Sequence, residues 1–180
     1  MSRYHPVLVA LHWLLALMIL MALMAGGMVL SEMPNNDPEK VAALRAHMTV
    51  GLIIGSLMVI RLVTRLTTAH PPAADIGNAA LNRIGKWTHW LFYALVLLMV
   101  GSGMGIAVLA GLPEIVFQGS GDPLPPDFSA YPPRMVHGLV ATLLGLTILA
   151  HVGAFLYHQF VRRDGLFARM WFGKRRAAGE

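Results

Sequence analysis

The sequence predicts an all-α membrane protein whose helices form a four-helix bundle, and three observations lead to this fold class. Hydrophobic residues make up 56% of the 180 residues and charged residues only 13%, against about 50% and 25% in typical soluble proteins. The mean hydropathy of +0.61 is more than a core of this size can hide. The apolar residues also form four runs, each long enough to cross about 30 Å of hydrocarbon.

The four runs define the elements in order. Their predicted bounds are residues 7–30, 47–66, 87–112 and 135–160. The first run is too long for a signal peptide and lacks the small-residue cleavage site that ends one. The third connection, residues 113–134, is rich in Pro and Gly and cannot form a regular helix. We therefore expect one integral-membrane domain over residues 1–180, with a basic cytoplasmic tail at residues 161–180.

The distribution of charge predicts the orientation in the bilayer. The N-terminus, the second connection with its flanks, and the tail hold 11 of the 14 Lys and Arg residues. The first and third connections hold the other three, beside six carboxylates. Because Lys and Arg accumulate on the cytoplasmic side, both termini are expected in the cytoplasm. The net charge of +5 thus reflects sorting across a lipid bilayer and not a nucleic-acid partner. The lack of Cys excludes disulfides, iron–sulfur clusters and thiolate zinc sites.

Six of the eight histidines lie within or at the ends of the spans, where ionisable side chains are costly and usually functional. Counted from the outer ends of the helices at about 1.5 Å per residue, they form three levels. From the outer face inwards the pairs are His47 with His137, His12 with His151, and His89 with His158. For any single histidine, a hydrogen bond to a neighbouring helix is the alternative interpretation.

The fourth span presents two imidazoles on one face. His137 and His151 are 14 residues apart, which returns to within about 40° of the same face, roughly 21 Å further along. The first two spans supply opposing imidazoles, His12 below and His47 above. Two iron macrocycles, each held by two histidines, fit this arrangement. Zinc fits less well, because it requires three or four ligands at one level.

Small and basic residues lie near these levels. Glycines on the second and fourth spans leave either room for a macrocycle edge or a close helix contact, and both interpretations stay open; they are Gly51, Gly55, Gly138 and Gly145. Arg45 and Arg134 flank the outer pair. They are candidates to meet a haem propionate, a quinone carbonyl or an arriving anion, or they only mark helix ends. Lys40 is a weaker candidate for the same roles.

These residues together resemble the bacterial cytochrome b561 family over essentially the whole chain. The resemblance rests on His12-Trp13 after Ala10-Leu11, on His47 opening a glycine-containing span that ends in Arg61 and Arg65, and on the His137–His151 pair. It implies a b-type cytochrome of the bacterial inner membrane that holds two haem b groups and exchanges electrons with ubiquinone. By position, His12 and His151 would ligate the inner haem and His47 and His137 the outer one.

Three functions follow as hypotheses. Because at least one member of the family is a superoxide oxidase, the first is an enzyme that takes electrons from periplasmic superoxide and delivers them to ubiquinone. The net charge of −3 on the outer connections weakens this choice of donor. The second is a membrane electron-transfer subunit, whose third connection docks a periplasmic dehydrogenase or hydrogenase-like partner. The third is a histidine-lined transporter or channel, which would be colourless. We expect His89 and His158 not to be ligands; a swapped inner pair of these two is the rival assignment.

Overall fold

The computed structural model describes residues 2–72, 75 and 77–174, and its secondary structure is helical. The long helices are α1 (Pro6–Met24), α2 (Lys40–Thr67), α3 (Ala79–Leu109) and α4 (Pro132–Leu156). Single turns of π-helix, Ala25–Leu30 and Tyr157–Arg162, extend α1 and α4. Four helical segments are thus long and apolar enough to cross a membrane. The predicted all-α fold with four spans is confirmed.

Local sequence sets where the helices begin. Pro6 starts α1 after His5, whose side chain accepts a hydrogen bond from the Val7 N–H. Asn78 caps α3 by accepting from two backbone N–H groups, and Pro132 starts α4, where the missing N–H of proline costs nothing. Only 11–28% of the most apolar 18-residue stretch of each span is buried inside the protein, as expected of helices that are covered by lipid.

Helices α2 and α3 begin at Lys40 and Ala79, well before the predicted spans begin at residues 47 and 87. Helix α2 starts at Lys40, so His47 lies two turns inside the helix and not at its end. The reason is a contact that local pattern does not encode: Lys40 is only 4% exposed, and its Nζ donates to the carbonyls of Leu30 and Met33, each at 2.6 Å. This ammonium ties the outer end of the first span to the start of α2.

The third connection contains only two short helical segments, Glu114–Gln118 and Phe128–Ala130, in agreement with its Pro and Gly content. It folds over the outer end of the bundle, because Val116 is fully buried and packs with Leu44, Ala107 and Leu112. Phe128 and Tyr131 pack against the same cluster. The predicted tail continues α4 to Arg162, followed by the 3₁₀ turn Leu166–Met170; residues 175–180 lie outside the described part.

The helices pack in chain order, α1 on α2, α2 on α3 and α3 on α4. In the described part of the chain, α4 does not pack closely against α1 or α2. The histidines predicted to face each other come from these separated helices. The fold therefore leaves a gap that imidazole rings bridge at two levels.

Candidate haem-binding site

The outer level is formed by His47 on α2 and His137 on α4. Their ring centroids are 6.2 Å apart and the ring planes are inclined at 73°. Nδ1 of His137 lies 3.1 Å from the Met99 carbonyl oxygen and 3.1 Å from Ser102 Oγ. With its proton on Nδ1 donated to that carbonyl, the ring has its Nε2 lone pair available. Metal-binding histidines are typically oriented by such a hydrogen bond on the other ring nitrogen.

Two glycines bring backbone against the outer rings. A Cβ on Gly26, in the π-helical turn after α1, would lie 3.2 Å from His47 Cε1, and one on Gly103 of α3 would lie 3.3 Å from His137 Cε1. Both distances are shorter than an ordinary contact. Gly26 thus packs against the His47 ring and Gly103 against the His137 ring. A larger side chain at either position would collide with the ring that it faces.

The glycines singled out from sequence divide between the two interpretations. Gly55 packs against Val100 at 3.1 Å and Gly138 lies beside the Arg134 guanidinium at 3.2 Å, both measured from a hypothetical Cβ. These two serve close packing. Gly51 and Gly145 have nothing within 4 Å of that position, which agrees with room beside the histidines.

The inner level collects one polar side chain from each helix. His12 of α1 and His151 of α4 have ring centroids 6.4 Å apart and planes inclined at 76°. His89 of α3 lies 5.8 Å from His151, centroid to centroid, at 84°. Arg61 of α2 lies within electrostatic range of His12 and His89.

The position of His89 differs from the sequence expectation, which put it with His158 at the cytoplasmic interface. The expected depth of His89 below the outer face assumes that the third span ends at Leu112. Helix α3 ends at Leu109, so His89 lies about 4.5 Å nearer the outer face than expected. His89 Nδ1 donates to the Gly85 carbonyl at 2.8 Å, in its own helix. The level expected for His89 is therefore wrong.

His158 is engaged elsewhere. Its Nδ1 lies 2.5 Å from Asp164 Oδ2, and Arg162 Nε lies 3.6 Å from the same carboxylate oxygen. Burial acts to raise the pKa of Asp164, but the hydrogen bonds from His158 and the Leu166 N–H hold it below its usual value. His158 thus fixes the start of the tail. Among the described residues its ring contacts only that of Tyr157, so the rival pair of His89 with His158 is not brought together.

Both pairs could hold a haem iron between two imidazoles. Their ring centroids are 6.2 and 6.4 Å apart, which would leave room for a metal–imidazole bond of about 2.0 Å on each side. In the described part of the chain no three His, Asp or Glu residues converge as a metal site.

The basic residues at the outer end have different surroundings. Arg45 Nε donates to the Val116 carbonyl at 2.7 Å, which anchors the third connection, and Lys40 is directed into the protein as described above. The Arg134 side chain runs along α4 towards Gly138, one turn further on. Hydrogen bonds from Ser129, its hydroxyl first, and then the nearby Arg134 hold the pKa of Asp127 below its usual value. Arg134 therefore lies near a carboxylate, that of Asp127.

The sequence analysis assigned no role at the site to Arg61, Gly26 or Gly103. The signal for Arg61 was present, because Arg61 follows His47 by 14 residues as His151 follows His137. Gly26 and Gly103 carried no such signal, since their importance comes from close approach between helices.

A helical membrane bundle in which histidines of different helices face each other is typical of one class of protein, the membrane cytochromes, which hold haem between their helices. The family model for prokaryotic cytochrome b561 matches residues 3–173, and the chain belongs to that family. The resemblance noted in the sequence is thereby confirmed. Among the curated relatives, the chain is 24% identical to "Probable superoxide oxidase CybB" from Yersinia pestis, over 97% of this chain and 98% of the relative. Membership implies a haem-b-binding protein of membrane electron transfer.

Proposed function

We propose that this chain is a dihaem b-type cytochrome that takes electrons from superoxide at the outer face and delivers them to ubiquinone. The observation that carries the proposal is the two facing imidazole pairs at two levels, with ring separations of 6.2 and 6.4 Å. His47 and His137 would hold the outer haem, and His12 and His151 the inner one. When bound, haem b supplies reversible one-electron transfer at its iron.

The chain's own residues account for outer-sphere reactivity. If two histidines held each haem iron, no coordination position would remain for oxygen or superoxide, and the donor would have to transfer its electron without binding the iron. The Met99 carbonyl orients His137, and Gly26 and Gly103 fix the rings from either side. These contacts would hold the rings in place as ligands of a haem.

The reaction of superoxide with ubiquinone is balanced in electrons and protons. Two superoxide anions each lose one electron and leave as dioxygen, and one ubiquinone takes up two electrons and two protons to become ubiquinol. The relative named as a probable superoxide oxidase supports this pairing. We assign the outer face to the periplasm and both termini to the cytoplasm of a bacterial inner membrane, on the basis of the distribution of Lys and Arg.

A second candidate is a membrane electron-transfer subunit for a periplasmic dehydrogenase or hydrogenase-like partner. It is favoured by the exposed run at residues 117–123 in the third connection, where the Phe117 side chain is 47% exposed. Phe128 and Tyr131 present less surface to a partner, because they pack against the buried cluster around Val116.

Two measurements on purified protein separate these functions. A reduced-minus-oxidised absorbance spectrum with haem stoichiometry should give two low-spin b haems per chain, whereas a colourless protein would support the transporter. Ubiquinone reduction should then depend on a superoxide source and stop when superoxide dismutase removes the donor. Two haems without such activity would move the subunit function to first place.

A further inference from the structure

Arg61 is a charged side chain at the level of the inner histidines. Both α2 and α4 carry inward-facing polar residues 14 positions apart, His47 with Arg61 and His137 with His151. Because that spacing corresponds to about 21 Å along a helix, Arg61 and His151 lie at matching depth. A cation this deep in a membrane bundle is costly and usually marks a functional site.

The contacts of Arg61 leave its charge without a carboxylate partner in the described part of the chain. Its Nη1 donates to the Leu8 carbonyl at 2.5 Å, and the described ion pairs involve only Asp164. Arg65, one turn nearer the cytoplasm, instead lies over the ring of Trp90 at 5.8 Å. Arg61 is half-buried, and a charge withdrawn from water is normally compensated by an opposite one. A bound anion would supply that compensation.

Tyr93 adds a second donor at the same place. Its side chain is only 6% exposed, and its hydroxyl, close to Arg61, has no hydrogen-bond partner among the described residues. A buried hydroxyl left in this state costs about 1–3 kcal/mol. A phenol without an acceptor, beside a guanidinium that has N–H donors beyond the one bound to the Leu8 carbonyl, is suited to a carboxylate.

We propose that Arg61 and Tyr93 form the binding site for a propionate carboxylate of the inner haem, and that the Arg61 charge raises the reduction potential of that haem. This inference rests on the proposed function, since it requires a haem between His12 and His151. Reduction adds an electron near a fixed cation, and Coulomb attraction in a medium of low dielectric constant favours the reduced form.

The test is a redox titration of full-length protein in the parent, Arg61→Gln and Arg61→Lys, with Arg65→Gln as the matched control. The component that belongs to the inner haem is identified as the one lost in His151→Ala. We expect Arg61→Gln to shift that component's equilibrium towards the oxidised form by about tenfold or more, or about 59 mV for one electron. Arg61→Lys and Arg65→Gln should keep most of the parent potential, and Tyr93→Phe should shift it in the same direction by less.

The outcomes separate this inference from the proposed function. Loss of the inner haem in Arg61→Gln but not in Arg61→Lys would support the carboxylate site, because the charge alone restores binding. Unchanged potentials in Arg61→Gln with both haems retained would overturn it, as would an equal shift in Arg65→Gln. Loss of the inner haem in Arg61→Gln and Arg61→Lys alike would overturn it in favour of packing. A parent without haem would instead contradict the proposed function.

Discussion

Replacing Gly26 with Ala should disturb the outer haem site specifically. The added Cβ would lie 3.2 Å from His47 Cε1, whereas the neighbouring Gly27, in the same turn, has nothing within 4 Å of the corresponding position. Gly27→Ala is therefore a matched control on the same backbone. Gly103 and Gly101 on α3 form an equivalent pair, with 3.3 Å to His137 Cε1 at Gly103 and open space at Gly101.

The magnitude follows from the contact distances. Restoring an ordinary contact requires the His47 ring to move by about 0.2 Å, which is the whole tolerance expected of a metal–ligand bond. Alanine also favours the helix over glycine by about 0.5–1 kcal/mol, so overall stability should change little in either variant. Haem affinity is the sensitive quantity, because disturbing groups that orient ligands typically costs about 10–100-fold.

The assay is haem occupancy with the low-spin absorbance spectrum, measured in the four single variants and in the double variant Gly26→Ala/Gly103→Ala. We expect Gly26→Ala and Gly103→Ala each to lower the occupancy of the outer haem and the double variant to lower it further. Gly27→Ala and Gly101→Ala should match the parent. Full occupancy and an unchanged spectrum in the double variant would refute the idea that these glycines fix the ligand rings.

Three further predictions concern residues outside the ligand pairs. Lys40→Met should lower the stability of the outer end by about 2–4 kcal/mol, because two charge-assisted hydrogen bonds to carbonyls are lost, and thermal unfolding would show this as a lower Tm. Arg134→Gln should slow the reaction with superoxide and weaken the dependence of its rate on salt, while Asp127→Asn should speed the reaction, because surface charges steer an anion over about 10 Å at 0.1 M salt. Equal rates of reaction in the two variants would exclude steering. His158→Ala should retain two haems but expose residues 163–174 to protease, and loss of the inner haem would contradict the assignment of its ligands.

Much of the fold was predictable because the membrane imposes simple rules. Length and hydropathy located the four spans, and helical periodicity placed His137 and His151 on one face. The structure then brought His12 and His47 opposite them. Haem ligation by these four residues stays a prediction, supported by ring separations and by the orientation of His137.

The errors arose where long-range contacts override local pattern. Lys40 is a charged residue inside a helix start because two carbonyls from another segment bind it, and a hydropathy count cannot detect this. The level of His89 is an error of a different kind, because the apolar run extends three residues beyond Leu109, where α3 ends. The role of Arg45 in anchoring Val116 likewise arises from a contact between distant segments.

The central claim is that two haems are each held by one pair of histidines from different helices. The most direct measurement is haem stoichiometry in the parent and in His12→Ala, His47→Ala, His137→Ala and His151→Ala, with His89→Ala as the control for the third imidazole at the inner level. We predict two low-spin b haems in the parent and in His89→Ala, and one in each of the other four variants. The two titration components should be lost as the pairs predict, one in His47→Ala and His137→Ala and the other in His12→Ala and His151→Ala. Retention of two low-spin haems in any of these four, or loss of the inner haem in His89→Ala alongside its retention in His12→Ala, would contradict the account.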